Sequence, residues 1–434
     1  MKWVLFLVLL SSILPLRSWL RRNPAKHPFV WTVFGFLVIQ HSPLHFFFAP
    51  ISWATWPGYV KGAELSVVDF LAFAIYLAQP PTSKSFPLKT VAIAYLLSIL
   101  ASVLQASFTQ PPLFYAWQTT RVLFIALVVS RAAATDMHTT LALMRGMGYG
   151  ILVALGGAAW DRFAHGAIQA KGEFAHQNTL GLISHFLTFP FLAIWLAGGA
   201  GWLPIIIPVA GVIIAILTVS RTTIALVGMG CVLMFFCSAL RGWSSQKTKV
   251  ALMGIAAAVI LIPLAMSSLQ ERLGSASVLG EDQEREAFER AAAMMLEDHP
   301  WGVGANYYVV VANEEGYSDR AGVIPTLGSR GANVHNVYSL VLAETGYIGF
   351  AAFLLLLAQP LLMAFRTAWV HSQDRRGDVL LGLGVALLVV YIHSLVEWTF
   401  LTFQVQYPFG VTIGLIAGLA QQLGRVPGDG VGGR

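Results

Sequence analysis

Charge is what this chain has least of. Only 11% of its 434 residues are Asp, Glu, Lys or Arg, against about a quarter in a soluble globular domain. Hydrophobic residues make up 56% and the mean hydropathy is +0.69. A soluble domain is excluded and a polytopic membrane protein is indicated. Cysteine is nearly absent, with Cys231 and Cys237 the two. They lie six residues apart in one apolar run, cannot bridge each other in a helix, and read as packing residues. There is no metal-ligand spacing, no phosphate-loop glycine motif and no internal repeat. No metal and no cofactor is expected.

What is present in quantity is apolar sequence in runs long enough to cross about 30 Å of hydrocarbon. The runs predict spans near 64–79, 89–107, 113–130, 139–158, 179–196, 201–218, 222–240, 249–266, 346–365, 378–399 and 407–422. One or two more precede them. Residues 3–16 are apolar but short, and Leu16-Arg17-Ser18-Trp19 is a poor signal-peptidase site. The reading is all-α, with about 12 transmembrane helices in two groups, 1–266 and 346–434, around a helical loop at 267–345.

Lys and Arg in the short loops set orientation. One side collects Arg17, Arg21, Arg22, Lys26, Lys84, Lys89, Arg131, Arg241, Lys247, Lys249, Arg366, Arg375, Arg376 and Arg425. The other holds Lys61, Arg162, Lys171 and Arg221. The first side is expected to be cytoplasmic, and the loop periplasmic in a Gram-negative cell. The net charge of +6 is therefore an orientation signal, and no nucleic-acid partner is expected.

The loop is acidic by contrast, with Glu271, Glu281, Asp282, Glu284, Glu286, Glu289, Glu297, Asp298, Glu314, Glu315 and Asp319. Residues 281–298 have helix-forming composition, with Phe288, Ala291, Ala292 and Met295 on one apolar face. His299-Pro300 and Gly302 should end that helix. Arg285 and Arg290 on it are candidate phosphate ligands or partners of neighbouring carboxylates. A single helix over 333–364 would be about 48 Å long, too long for one span, and Gly346 and Gly349 offer a break. That puts His335 in the first turn of a short helix, where a positive helix end favours the neutral, proton-accepting imidazole. Ser339 follows one turn on. Glu344 falls on the opposite face and reads as an orienting group.

Six charged or polar residues within or beside the spans complete the set. Arg221 opens a span and is costly there unless it is paired, snorkels or faces a wet cavity. As a fixed cation its planar fork suits phosphate. Arg121 raises the same question deeper in the membrane. His393 and Glu397, four apart, read as a pair on one helix face. His176 and Asn178 mark a polar helix entry, with capping the default.

The ordered set GEFAHQNTLG (172–181), TVSRTTIAL (218–226), EDHPWGVGANYY (297–308) and NVHNVYSLVLAETGYIGF (333–350) resembles the O-antigen ligase and polymerase superfamily of bacterial inner-membrane proteins. The resemblance covers roughly 170–400. It implies a GT-C-like helical membrane glycosyltransferase that moves a glycan from undecaprenyl diphosphate to an acceptor, a lipid A-core sugar in the ligases. On that resemblance His335 and Arg221 are the catalytic residues and Arg285 or Arg290 the loop arginine that binds substrate; Asn336, Asn178, Ser339 and Glu344 join them as substrate-binding candidates from their polar places beside these residues. Phe288 stands where Trp is more usual, which leaves the second arginine open between Arg285 and Arg290. A glycan polymerase and a protein O-oligosaccharyltransferase share the donor chemistry. A transporter is the non-enzyme alternative, disfavoured because the polar positions gather at one face rather than the midplane.

Overall fold

A computed structural model describes residues 2–40, 47–82, 85–273, 278–398 and 400–424, with backbone alone at 2, 264–265, 268–269, 271–273 and 278–282. Lys84 and Arg425 of the charge asymmetry lie outside the described residues, as do the side chains of Glu271, Arg272, Glu281 and Asp282. The chain is all-α. Its first ten helices are α1 (Lys2–Arg22), α2 (His27–Ile39), α3 (Val67–Ala78), α4 (Lys89–Ala101), α5 (Gln110–Ala133), α6 (Met137–Phe163), α7 (Gln177–Leu196), α8 (Leu203–Thr218), α9 (Arg221–Leu240) and α10 (Ser245–Leu273). Four helices of the loop follow, α11 (Val278–Asp298), α12 (Tyr308–Glu314), α13 (Tyr317–Ala321) and α14 (Leu327–Arg330). The chain closes with α15 (Val337–Val370), α16 (Arg375–His393) and α17 (Phe403–Leu423). Nine of the described helices are long and apolar enough to span a membrane, and three shorter apolar ones, including α3 and α8, accompany them. The only strands among the described residues, β1 (Phe47–Phe48) and β2 (Leu65–Ser66), pair antiparallel.

Helices α7, α16 and α17 form the buried centre, while α1 and α10 sit at the periphery with most of their length exposed. Without water to drive helix association inside a bilayer, close packing needs small residues. Gly410, Gly414 and Gly418 supply it along α17. A Cβ at these positions would lie 2.8, 2.6 and 2.5 Å from the carbonyls of Val122, Ala126 and Ser130 on α5.

The loop has its own apolar core. The expected face of α11 is buried, with Phe288, Ala291, Ala292 and Met295 all under 4% exposed. They pack with Tyr308, Tyr317 and Leu340 and, from outside the loop, with Trp56 and Leu401. The side of the molecule bearing this loop, the loop face, is therefore assembled from three separated segments. Asn306, in the left-handed region at φ 65°, joins two of them. Its amide accepts from Val60 N (3.0 Å) and donates to Val60 O (2.7 Å).

Helix α15 breaks at Gly346 as the spacing predicts. Its φ of 63° and ψ of −171° are accessible to glycine and strained for other residues. Two boundaries differ from the sequence reading. Helix α10 runs on to Leu273 rather than stopping near 266. Helix α16 ends at His393, and turns and bends follow at 394–397 and 400–402. The break separates the supposed His393–Glu397 pair: His393 instead faces His185 at 3.2 Å.

Candidate active site

Four of the predicted site residues, Asn178, Arg285, His335 and Asn336, meet where α7, α11, α15 and the turns after α16 converge at the loop face. The first turn of α7 is capped by His176, whose Nδ1 accepts from Asn178 N at 3.3 Å. The Asn178 side chain donates to Glu397 Oε1. Arg285 of α11 reaches the same Glu397 oxygen at 3.5 Å. Trp398, next in sequence, stacks on His335 at 4.3 Å between ring centroids and 30° between planes. Phe288 borders the imidazole at 6.0 Å.

His335 does not start the helix. Asn336 is the N-cap, accepting from Tyr338 N (3.0 Å) and Ser339 N (3.3 Å), so His335 lies one residue before it, outside the helix. The correction follows from chemistry: an Asn side chain caps better than His. Asn336 also donates to Glu289 Oε1 at 3.2 Å, strutting α15 against α11. Both ends of its amide are thus engaged, which fixes the backbone next to His335. Ser339 is half-buried in the first turn of α15 and contributes its N–H to that cap.

The His335 imidazole is held by ring stacking, and its Nδ1 is buried without a hydrogen-bond partner among the described residues. Its pKa is pushed down to about 4 by burial, then by the positive charge of Arg285 and by His176. The ring is neutral at pH 7, as expected, through burial first rather than a helix end. Burial pushes the Glu397 carboxyl above the usual range, against the opposing pull of Arg285 and Asn178.

Arg221 is the first residue of α9, after the cap Ser220, whose side chain accepts from Thr223 N at 3.4 Å. Val219 turns the chain there at φ 48°. The first turns of α7 and α9 abut so closely that a Cβ on Gly181 would overlap Thr223. This sets Arg221 beside the turn that carries Asn178.

Three candidates fall outside the cluster. Arg290 is five residues from Arg285, about 140° around the helix. It turns to the Ala321 carbonyl (3.0 Å) and Glu286 (3.8 Å). Of the two loop arginines, Arg285 is the one that joins the cluster. Glu344 is 1% exposed and saturated by Tyr59 OH (2.5 Å) and Tyr308 N (3.1 Å). A carboxylate sealed in this way cannot meet a substrate, so it is a fastener of the loop. Arg121 is neutralised by Asp69 at 2.7 Å, a partner 52 residues away. The residue that sequence reasoning missed is Glu397, hidden by its regular spacing from His393. The adjacent Glu-Trp in an otherwise apolar stretch was the available signal.

Among the described residues no group of three or more His, Cys, Asp or Glu could hold a metal ion. Solvent-side imidazole, guanidinium, amide and carboxylate meet at the ends of membrane helices. Such a set can take a proton from a hydroxyl and stabilise negative charge on phosphate. No curated protein matches the chain significantly. Residues 206–354, which contain Arg221, Arg285 and His335, match the family model described as O-antigen ligase (Wzy_C), and this match supports the superfamily that the ordered motifs resemble.

Proposed function

We propose that this protein transfers an O-antigen glycan from undecaprenyl diphosphate to a sugar of lipid A-core at the periplasmic face of the inner membrane. The observation that carries the reading is His335. It is a neutral imidazole, clamped between Trp398 and Phe288 beside Arg285, at the seam where α15 enters the membrane. In this mechanism His335 takes the proton of the acceptor hydroxyl. The hydroxyl oxygen attacks the anomeric carbon in line, the carbon–oxygen bond to phosphate breaks, and the diphosphate leaves with the electron pair. The configuration inverts. Arg221 and Arg285 bind the diphosphate and stabilise the charge it gains, which needs no metal. Asn178 and Glu397 orient Arg285. The lysine and arginine excess opposite the loop supports the periplasmic placement.

The test is a deletion strain read by lipopolysaccharide gel. Loss of the whole ladder with accumulation of carrier-linked glycan is the expected result. A core bearing a single repeat assigns a polymerase instead. A normal ladder with altered glycoproteins assigns a protein O-oligosaccharyltransferase. Loss of the ladder with carrier-linked glycan accumulating on the side of the membrane opposite the loop assigns a transporter.

A further inference from the structure

At the face opposite the loop, the ends of α2, α3, α5, α6 and α17 enclose a cavity of about 250 Å³. It lies some twenty residues of helix away from His335 and belongs to no part of the proposed transfer site. Its floor is apolar, formed by Leu20, Trp31, Ile75 and Leu127, and its rim is polar, with Gln79, Arg131, Thr135 and Thr139. The guanidinium of Arg131 rests on the Tyr76 ring at 4.6 Å, and its Nε is buried without a hydrogen-bond partner among the described residues. No Asp or Glu lines the cavity. The nearest carboxylate in sequence, Asp136, is turned away into capping α6 through His138 N (2.9 Å) and Thr139 N (3.1 Å). Gln79 is anchored by its Nε2 on the Val128 carbonyl (2.9 Å), which leaves its Oε1 buried and unsatisfied.

An unsatisfied cationic donor and an unsatisfied neutral acceptor share one rim above an apolar floor. The complement is an amphiphile with an anionic oxygen group, a hydrogen-bond donor a few bonds from it, and a hydrocarbon part. The cavity sits at the ends of the spans, at headgroup depth, where basic pockets between helices take lipid headgroups. We propose that it is a glycerophospholipid site. The phosphate binds Arg131, the headgroup hydroxyl or ammonium donates to Gln79 Oε1, and the start of an acyl chain covers Leu20 and Trp31. A free phosphate shares the Arg131 chemistry but fills neither the acceptor nor the floor.

The experiment uses the full-length protein, purified in detergent and stripped of lipid. Phosphatidylglycerol, phosphatidylcholine or inorganic phosphate is titrated and read by native mass spectrometry and melting temperature. The expected result is a saturable phosphatidylglycerol adduct that raises the melting temperature. Its affinity should fall about tenfold in Arg131→Gln, a loss of about 1.4 kcal/mol. Thr82→Trp, at the exposed mouth, should block the adduct in a protein that folds normally, and it decides the matter if Arg131→Gln does not fold. Equal binding by wild type and Thr82→Trp overturns the site. Equal stabilisation by inorganic phosphate overturns the lipid assignment. Equal affinity for phosphatidylcholine, which has no headgroup donor, overturns the role of Gln79.

Discussion

Arg121–Asp69 and Arg285–Glu397 are both arginine–carboxylate pairs beside membrane helices, and the differences between them separate a strut from a site. The first is closed. Two Arg121 nitrogens reach one Asp69 oxygen at 2.7 and 3.1 Å, and Tyr407 and Ser66 complete the ring. The side chains are 6% and 9% exposed, so nothing from solvent can enter. The second is open. It makes one contact at 3.5 Å with Arg285 31% exposed. A buried pair with short contacts holds helices together. A long, half-exposed one leaves its cation available to a substrate anion.

The largest expected effect is that of His335→Ala, a fall of about 10²–10⁴ in transfer with an unchanged melting temperature. Full activity in this variant removes the general-base role. Next, exchanging Arg for Gln in the two pairs should give opposite results. Arg285→Gln should lower turnover about 10²–10³-fold and leave stability nearly intact. Arg121→Gln should cost about 3–5 kcal/mol of stability and leave the turnover of the folded fraction unchanged. The same signature from both variants would collapse the distinction. Arg221→Lys keeps charge but loses the planar fork and should slow turnover by about tenfold or more. Wild-type rates would assign Arg221 to the membrane interface alone.

The carboxylates extend the contrast at smaller scale. Glu344→Gln should destabilise by about 1–3 kcal/mol without changing KM. Glu397→Gln should raise KM several-fold and leave the melting temperature in place. The smallest effect concerns pH. An ordinary histidine loses its neutral form below about 6.5, whereas His335 keeps it down to about 4. The acid limb of kcat/KM should therefore fall below pH 5. That of kcat should lie higher, because a bound diphosphate favours the imidazolium. The sign for stability follows from the same shift. Between 6.5 and 4 the unfolded chain binds the extra proton, so His335 lowers stability as pH drops through that window and has no effect above it. An acid limb of kcat/KM near 6.5 would mean that the ring is not buried in the working enzyme.

Much of this was legible in residue order. Span positions followed from apolar run length, and the break at Gly346 followed from a helix too long for the bilayer. The buried face of α11 followed from the spacing of Phe288, Ala291, Ala292 and Met295. Arg221, His335 and Asn178 stood out as polar residues at span ends. What failed did so because partners were distant in sequence. Arg121 could not be read as neutral without Asp69, nor Glu344 as sealed without Tyr59. Glu397 was misread because its spacing from His393 satisfies a helix rule that α16 does not continue long enough to obey. Arg285 and Arg290 are equivalent in sequence and are separated only by the direction of the α11 surface.

The core of the loop face draws Trp56 from near one end of the chain and Leu401 from near the other, and Trp398 forms one wall around His335. A ribosome making this protein therefore delivers the base, the arginines and most of the loop well before the ring that clamps the base. Nascent chains that stop short of the turn after α16 carry the recognisable motifs without a finished site. Completion of the proposed site is consequently a late event in biogenesis, set by placement of the short segment between the last two helices.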